Sequence, residues 1–224
     1  MAYTVNRGTT SAVQDERRCP IQAYQLKEDP TAEQGVLSHD LAILEDMVLH
    51  MPGYLLTEAT RWDVGKSGAP PITIGGYLMR RRRLGLLAGA LGEDERRHLA
   101  AANADFDAIV ARQMVRYETR ALAEAGARMR EWAEYLRDLA TSKRLAGDHA
   151  HYAYKADIRV VLAEVLDLLG QPPYELPEHV VTDVAALDHR LQARWQPGGF
   201  IWAAVWQPAY VAEQYWWLYG HPVG

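Results

Sequence analysis

Apolar residues recur every three or four positions along most of the chain after residue 37, a spacing typical of amphipathic α-helices. The longest run predicts one helix over residues 93–146, which would reach about 80 Å at ~1.5 Å per residue. No alternating, strand-like run follows residue 37. The predicted fold is therefore all-α, an elongated helical bundle in which shorter helices pack along one long central helix. The shorter helices are predicted near residues 38–60, 73–91, 148–169 and 178–195.

Local signals predict how several of these helices begin and end. Thr73 can cap one helix, and Asp40 suits the positive first turn of another. Pro52 should end or kink the first helix near His50, because proline lacks the amide that the helix needs. Gly85 and the glycine four residues later would let a second helix approach closely.

The two ends of the chain differ from this helical middle. Residues 1–36 are polar and aperiodic, which predicts a disordered or extended N-terminal arm. Residues 37–224 are predicted to form a single all-helical domain. That domain ends in a Trp/Tyr-rich segment at 195–222, hereafter the aromatic segment. Pro208 divides it into a predicted short helix at 199–206 and a second helix that continues to residue 219.

The aromatic segment admits four interpretations: internal packing, a protein–protein surface, a ligand box of stacked rings, or a membrane anchor. Large aromatic side chains favour the first two, because they bury much area and anchor interfaces. A proline-broken stretch without a basic face disfavours a membrane anchor. We expect Trp202 and Trp206 to pack inward. Trp216 and Trp217 are adjacent, so only one of them can point squarely inward while the other faces a partner.

Composition narrows the function classes. The net charge is −5, which gives no general attraction to nucleic acid or to anionic membranes. Cys19 is the one cysteine, so no intramolecular disulfide or thiolate metal cluster is expected. The sequence has neither a signal-peptide pattern nor an apolar run long enough to cross a bilayer. The predicted location is the cytoplasm, without membrane association.

Arg80 to Arg83 form the strongest basic cluster in the sequence. Four consecutive residues sweep most of the circumference of a helix, so one of them should approach the apolar face, and Arg81 is the expected one. The acidic residues 93–95 follow closely, which favours solvated arginines paired with those acids over a phosphate-binding surface. An anion pocket for a small ligand remains an alternative interpretation.

Motifs for metals and cofactors are weak. The sequence "GKS" at 65–67 lacks the upstream glycine and the following helix of a phosphate loop. Glu95 and His98, like Asp148 and His151, have the spacing of helical metal ligands. The two pairs would lie ~60 Å apart along the long helix, so they cannot share one site within a chain. We predict no metal and no cofactor.

Three functional hypotheses remain. The first is a helical protein–protein interaction or scaffold protein, forming a homodimer or other homo-oligomer through the long helix or the aromatic segment. The second is a helical enzyme or small-ligand protein with an arginine and aromatic pocket, so enzymatic activity stays open. The third, which the net charge disfavours, is a nucleic-acid-associated protein that uses Arg80–Arg83. The candidate ligand or partner residues are Arg80, Arg81, Trp202, Trp206, Trp216 and Trp217.

Overall fold

A computed structural model describes residues 30–63, 65, 68–142, 145 and 147–223, and it confirms the predicted all-α class with a long central helix. Shorter helices pack against the central helix α3. The helices are α1 (Pro30–Tyr54), α2 (Ile74–Leu86), α3 (Glu93–Thr141), α4 (His149–Leu169) and α5 (Glu178–Gln192). A small antiparallel ribbon pairs β1 (Trp195–Phe200) with β2 (Tyr219–Pro222).

The first helix begins earlier than the sequence predicts and ends at Tyr54, past the end or kink predicted near His50 but before residue 60. Residues 1–29 of the predicted arm lie outside the described residues, whereas residues 30–36 form the first turns of α1 rather than an extended chain. Pro52 lies inside α1 and does not end it near His50. The turn around Pro52 ends at Tyr54, whose side chain is completely buried. Tertiary packing thus offsets the backbone hydrogen bond that proline cannot make.

The N-terminus of α2 is held by two side-chain acceptors. Thr73 is the predicted cap, and its hydroxyl accepts a hydrogen bond from the amide of Gly76 at 2.9 Å. The buried carboxylate of Glu124, on α3, accepts the amide of Gly75 at 3.0 Å. A carboxylate at this end compensates unpaired amides and the positive end of the helix dipole. Glu124 therefore joins the beginning of α2 to the middle of α3.

Gly75 also allows α2 to approach α4 closely. A Cβ atom at this position would lie 2.6 Å from a methyl group of Val161 and 2.7 Å from one of Val165. The predicted close approach at Gly85 is wrong, because nothing lies within 4 Å of a Cβ atom built there. The helix ends at Leu86, earlier than predicted. The glycine that packing requires is at the opposite end of α2.

The central helix α3 is continuous through Gly126 but contains a kink at Gln113. Gln113 has φ −129° and ψ 29°, which is not helical geometry. Its side-chain carbonyl oxygen is buried and has no hydrogen-bond partner among the described residues. The helix ends at Thr141 rather than near residue 146. Before the kink Phe106 stacks on Tyr77 of α2, and after it Tyr135 contacts Tyr152 of α4.

The two helices predicted within the aromatic segment are wrong. The segment forms the β1–β2 ribbon, with short 3₁₀ turns at Ala204–Ala209 and Trp216–Leu218 between the strands. Most of β1 is exposed and includes Pro197, so it has no alternating apolar pattern that sequence could reveal. Gly220 has φ +146°, and a Cβ atom there would lie 2.2 Å from the carbonyl oxygen of Gln196. Only glycine permits this close pairing of the strands.

One continuous core joins these elements, from Leu37 in α1 to Leu218 near the end of the chain. Trp132 and Tyr152 are among its largest fully buried side chains, and they lie on α3 and α4. Within the part of the chain that the structure describes, no helix is both long enough and apolar enough to cross a bilayer.

Gly75 and Gly85 form a matched pair for testing the packing of α2. We expect Gly75→Ala to lower the free energy of unfolding by about 1–3 kcal/mol, because the new methyl group meets Val161 and Val165. Gly85→Ala should raise it by about 0.4–1 kcal/mol, since the site is open and alanine favours the helix. Urea unfolding followed by circular dichroism measures both. Equal effects of the two substitutions would contradict the packing account.

Candidate functional site

The arginine cluster of α2 is turned into the protein, contrary to the expectation of a solvated basic face. Arg83 is the most deeply buried of the four, and Arg80 is also buried, whereas Arg81 is only partly covered. Arg81, the arginine expected to approach the apolar face, lies 5.9 Å from the ring centroid of Phe106, but Arg83 and Arg80 are more deeply buried. The carboxylate of Asp40 pairs with Arg83 through two hydrogen bonds and with Arg80 Nε at 3.1 Å. Asp40 lies within α1 rather than acting in a first turn.

The other two arginines also bind carboxylates from distant parts of the chain. Arg82 Nε donates to Glu164 of α4 at 2.6 Å, and another of its nitrogens donates to the carbonyl oxygen of Ala209. Arg81 binds Asp107 of α3 through two hydrogen bonds of 2.5 and 3.1 Å. The predicted pairing with residues 93–95 is therefore wrong. The four side chains radiate from α2 and contact three different helices.

Burial acts differently on the two buried carboxylates. Burial by itself raises the pKa of Asp40, but the charges of Arg83 and Arg80 outweigh it, so the pKa lies below its ordinary value. For Glu164 burial is the largest influence, and the attraction of Arg82 offsets it only in part. The pKa of Glu164 is consequently raised. Asp40 is the more strongly compensated anion of the two.

Aromatic side chains of the C-terminal segment cover these arginines. The guanidinium carbon of Arg83 lies 3.9 Å from the ring centroid of Trp206. The guanidinium carbon of Arg82 lies 4.6 Å from Tyr210 and 4.7 Å from Tyr215. Stacking of a cation on a desolvated ring is stabilising and directional. The arginine cluster therefore binds the aromatic segment to the helical bundle.

Arg159, on α4, also combines a carboxylate partner with stacking on an aromatic ring. The guanidinium carbon of Arg159 lies 4.0 Å from the ring centroid of Trp217, and its nitrogens donate to Asp188 of α5 at 2.7 and 2.8 Å. Trp217 is buried, whereas its neighbour Trp216 is half-buried and lies edge-on to Trp195 at 5.3 Å. Trp217 is thus the more deeply buried of the adjacent tryptophans, and the expectation that the other one faces a partner stays a prediction.

The predicted site residues do not form one site. Trp202 is half-buried and donates from its indole nitrogen to the carbonyl oxygen of Ala153, while its ring lies 6.1 Å from Trp206. Asp40 and Arg83 link Arg80 to Trp206, whereas Arg81 pairs with Asp107 and Trp216 packs against Trp195. The sequence analysis includes Arg82 and Arg83 only as part of a basic cluster, and it misses Asp40, Glu164 and Arg159 as partners in this arrangement. Single acids far away in the sequence provide no signal for such pairing.

Each guanidinium group of the cluster is compensated by a carboxylate of the chain itself. The cluster therefore lacks the uncompensated cationic surface that binding of a phosphate or of nucleic acid requires. The cluster acts as a clamp, by which we mean that charge-assisted hydrogen bonds and stacking on rings join separate elements of the fold.

The two pairs with metal-ligand spacing have structural partners. Glu95 accepts the amide of Gly92 at 2.8 Å and the hydroxyl of Ser38, which lowers the pKa of its carboxyl group; the Ser38 hydrogen bond is the largest cause. Asp148 accepts the amide of His151 at 2.9 Å as the cap of α4. Among the described residues, no three His, Cys, Asp or Glu side chains are grouped so as to hold a metal ion.

A mainly apolar groove lies between the middle of α3 and the beginning of α5. We name it the α3–α5 groove; its volume is about 320 Å³. Its floor and walls are mainly apolar, and Gly126 provides the open space on α3. The lining residues are Leu122, Ala125, Gly126, Met129, Arg130, Leu176, His179 and Val180.

Exposed apolar side chains extend the groove along α3. Leu122 is 39% exposed, and Val115, two turns earlier on the same face, is 77% exposed. Arg130 borders the groove on α3 and His179 borders it on α5; both are exposed. This combination of an apolar floor and a polar border is typical of surfaces that bind other proteins.

No protein-family model, curated protein or solved structure matches this chain, so no relative supplies a function or a site residue.

Asp40 and Asp107 provide a matched comparison of a buried and an exposed arginine partner. Asp40→Asn removes the charge of the carboxylate that pairs with two buried guanidinium groups, so we expect the free energy of unfolding to fall by about 3–5 kcal/mol at pH 7. Asp107→Asn removes an exposed pair and should cost no more than ~1 kcal/mol. Urea unfolding measures both. A cost for Asp40→Asn as small as that for Asp107→Asn would contradict the clamp.

The pH dependence of the same variants tests the direction of the pKa shifts. The pKa of Asp40 is below its ordinary value of 3.8, so its contribution to stability is complete above that pH and is lost as the pH falls through the lowered pKa. The stability difference between the wild type and Asp40→Asn should therefore shrink on acidification. Glu164, whose pKa is raised above 4.5, should behave oppositely: Glu164→Gln gains stability relative to the wild type as the pH rises. Unfolding curves between pH 3 and 7 distinguish the two trends.

Proposed function

We propose that this protein is a helical protein–protein interaction protein and that the α3–α5 groove is its binding surface. The observation that supports this most directly is the exposed apolar strip of α3. Val115 and Leu122 lie on one face of the helix and lead into the groove beside Gly126. Exposed apolar side chains such as these are costly to leave in water, and a partner would cover them. A helix is the form of partner that fits a groove between two helices.

The arginine and aromatic residues give less support to the two alternative functions, a small-ligand protein or enzyme and a nucleic-acid-associated protein. A small-ligand pocket or a nucleic-acid surface would need cationic groups available to an anion. The guanidinium groups of Arg81, Arg82 and Arg83 already bind Asp107, Glu164 and Asp40. The aromatic segment is likewise engaged within the chain, since Trp206 and Trp217 are buried. These contacts favour α3 over the aromatic segment as the surface that a partner uses.

Several earlier expectations stay predictions under this proposal. They are association into a homodimer or other homo-oligomer, a further protein partner, and a cytoplasmic location.

Filling the groove tests the proposal. Gly126→Leu should occupy the open space, because a Cβ atom there meets only the end of the Arg130 side chain, at 3.4 Å. Leucine also favours the helix more than glycine does, by about 0.8–1 kcal/mol, so the fold should be retained or stabilised. We expect the variant to lose chemical cross-links between α3 or α5 and other protein chains in extracts of the native host. Mass spectrometry of the cross-linked peptides locates these contacts.

The control is Gly85→Leu, which adds the same side chain at an open site on α2 away from the groove. This variant should keep the cross-links of the wild type. Cross-links that are absent in the wild type, or unchanged in Gly126→Leu, would remove the groove as the binding surface.

A further inference from the structure

The first half of α3 carries apolar residues on the side that faces water. A helix that packs on a core with one side normally carries polar residues on the opposite side. Phe106 and Ile109 are buried on the inner side of α3. On the opposite side a line of residues is exposed and apolar, and the largest of them, Val115, is 77% exposed. We call these residues the outer face of α3: Ala101, Ala104, Ala108, Ala111 and Val115.

The spacing of the outer face is that of a seam between paired helices. Its positions are separated by alternating steps of three and four residues, from Ala101 to Val115. This is the heptad pattern by which two helices pack side by side. No other element of the described chain covers this seam, because each of its residues is exposed. A second helix with the same spacing therefore fits against it.

Two opposite charges lie beside the outer face, on one side of it. Asp105 and Arg112 are exposed and seven residues apart, so they share that side of the helix. Neither forms an ion pair with another residue in the part of the chain that the structure describes. The residues one turn before and after Asp105 are uncharged, and the residue four positions after Arg112 is another arginine. Both charges thus lack the oppositely charged neighbour that stabilises exposed charges along a helix.

A second copy of α3 supplies the missing partners. When two copies pack antiparallel, with Ala108 of each chain against Ala111 of the other, Asp105 and the partner's Arg112 flank the same side of the seam. Their heights along the helices differ by about two residues, or ~3 Å, which both side chains can span. Two-fold symmetry repeats the pair at the other end of the contact. Both charges precede the kink at Gln113, so they lie on one regular stretch of helix.

From this complementarity we infer that the outer face of α3 binds a second copy of this chain, in an antiparallel two-fold dimer with reciprocal Asp105–Arg112 pairs. The inference goes beyond the proposed function, because it concerns a different surface. The α3–α5 groove begins at Leu122, two turns after Val115, and it stays open to another protein in this dimer.

The charges also distinguish the two orientations of a helix pair. In a parallel pair Arg112 would lie beside the partner's Asp107, whose carboxylate already binds Arg81 through two hydrogen bonds. Asp105 would then be left without a counter-charge. The antiparallel pair uses both of the charges that have no ion-pair partner among the described residues, so it is the arrangement that fits.

Charge reversal tests the inference, with purified full-length protein in sedimentation equilibrium at low salt. Asp105→Arg brings two arginines together at each pair, and Arg112→Asp brings two aspartates together. We expect either change to raise the dimer dissociation constant by at least about tenfold, because like charges across an interface are costly. Asp138→Arg and Arg130→Asp are the controls. They make the same charge changes at exposed positions in the other half of α3 and should leave the dissociation constant unchanged.

Mixing the two single variants gives a sharper result. In a dimer of one Asp105→Arg chain and one Arg112→Asp chain, both reciprocal pairs again join opposite charges. We therefore expect the mixture to form heterodimers although each variant alone is mainly monomeric. The mixture of the two control variants should associate no more strongly than the wild type.

A charge in the middle of the seam tests the apolar contact independently of the pairs. Ala108→Glu places two glutamates close to the two-fold axis, so it should abolish the dimer at concentrations at which the wild type is dimeric. Ala140→Glu, at an exposed position near the end of α3, should leave the dimer intact. Circular dichroism and thermal melting establish that all these variants remain folded.

Each of the other outcomes contradicts the inference. A wild-type protein that stays monomeric at high micromolar concentration would overturn it and leave the groove, which the cross-links of Gly126→Leu test separately, unaffected. A dimer that Ala108→Glu abolishes but neither charge reversal weakens would exclude the antiparallel pairs. A mixture of Asp105→Arg and Arg112→Asp without heterodimers would exclude them as well.

Discussion

The enclosure of the Asp40 carboxylate between Arg83 and Arg80 is the contact on which most of the tertiary structure depends. A buried charge is tolerated only when its counter-charge is present with good geometry, since the cost of removing it from water is several kcal/mol. Asp40 lies on α1 and both arginines lie on α2. The two helices must therefore meet in one relative position, and the other face of Arg83 is then available for Trp206.

The same constraint determines how the C-terminal segment is held. Its two strands are short, and β1 is largely exposed, so they could not persist as an isolated ribbon. Rings of Trp206, Tyr210 and Trp217 instead stack on arginines that carboxylates have already oriented. Cation and ring are both removed from water, which strengthens their attraction. The aromatic segment is thereby part of the core of the protein.

The pairing of the arginines within the chain bears on which surface can bind a partner. The consecutive arginines of α2, which the sequence offers as candidates for an external ligand, pair instead with carboxylates of the chain. The surface that we propose for external contacts is the middle of α3, where Val115 and Leu122 are exposed on the face that leads to the groove at Gly126. In that region the inner face of α3 still packs on the bundle through Tyr117 and Ala121, which are fully covered. One helix thus serves the core with one face and presents an apolar surface with the other.

Local periodicity determined the helical class, the long central helix, the Thr73 cap and the start of α4 at Asp148, because each depends on residues that are neighbours in sequence. Only the tertiary structure decided which arginine is buried, since four consecutive arginines contain no information about the distant acids Asp40 and Glu164. It also decided that α1 continues past Pro52, because the burial of Tyr54 offsets a local preference. The β1–β2 ribbon was likewise decided only by the tertiary structure. Its exposed strand has no alternating pattern, and it is held by the rings and arginines that fold against it.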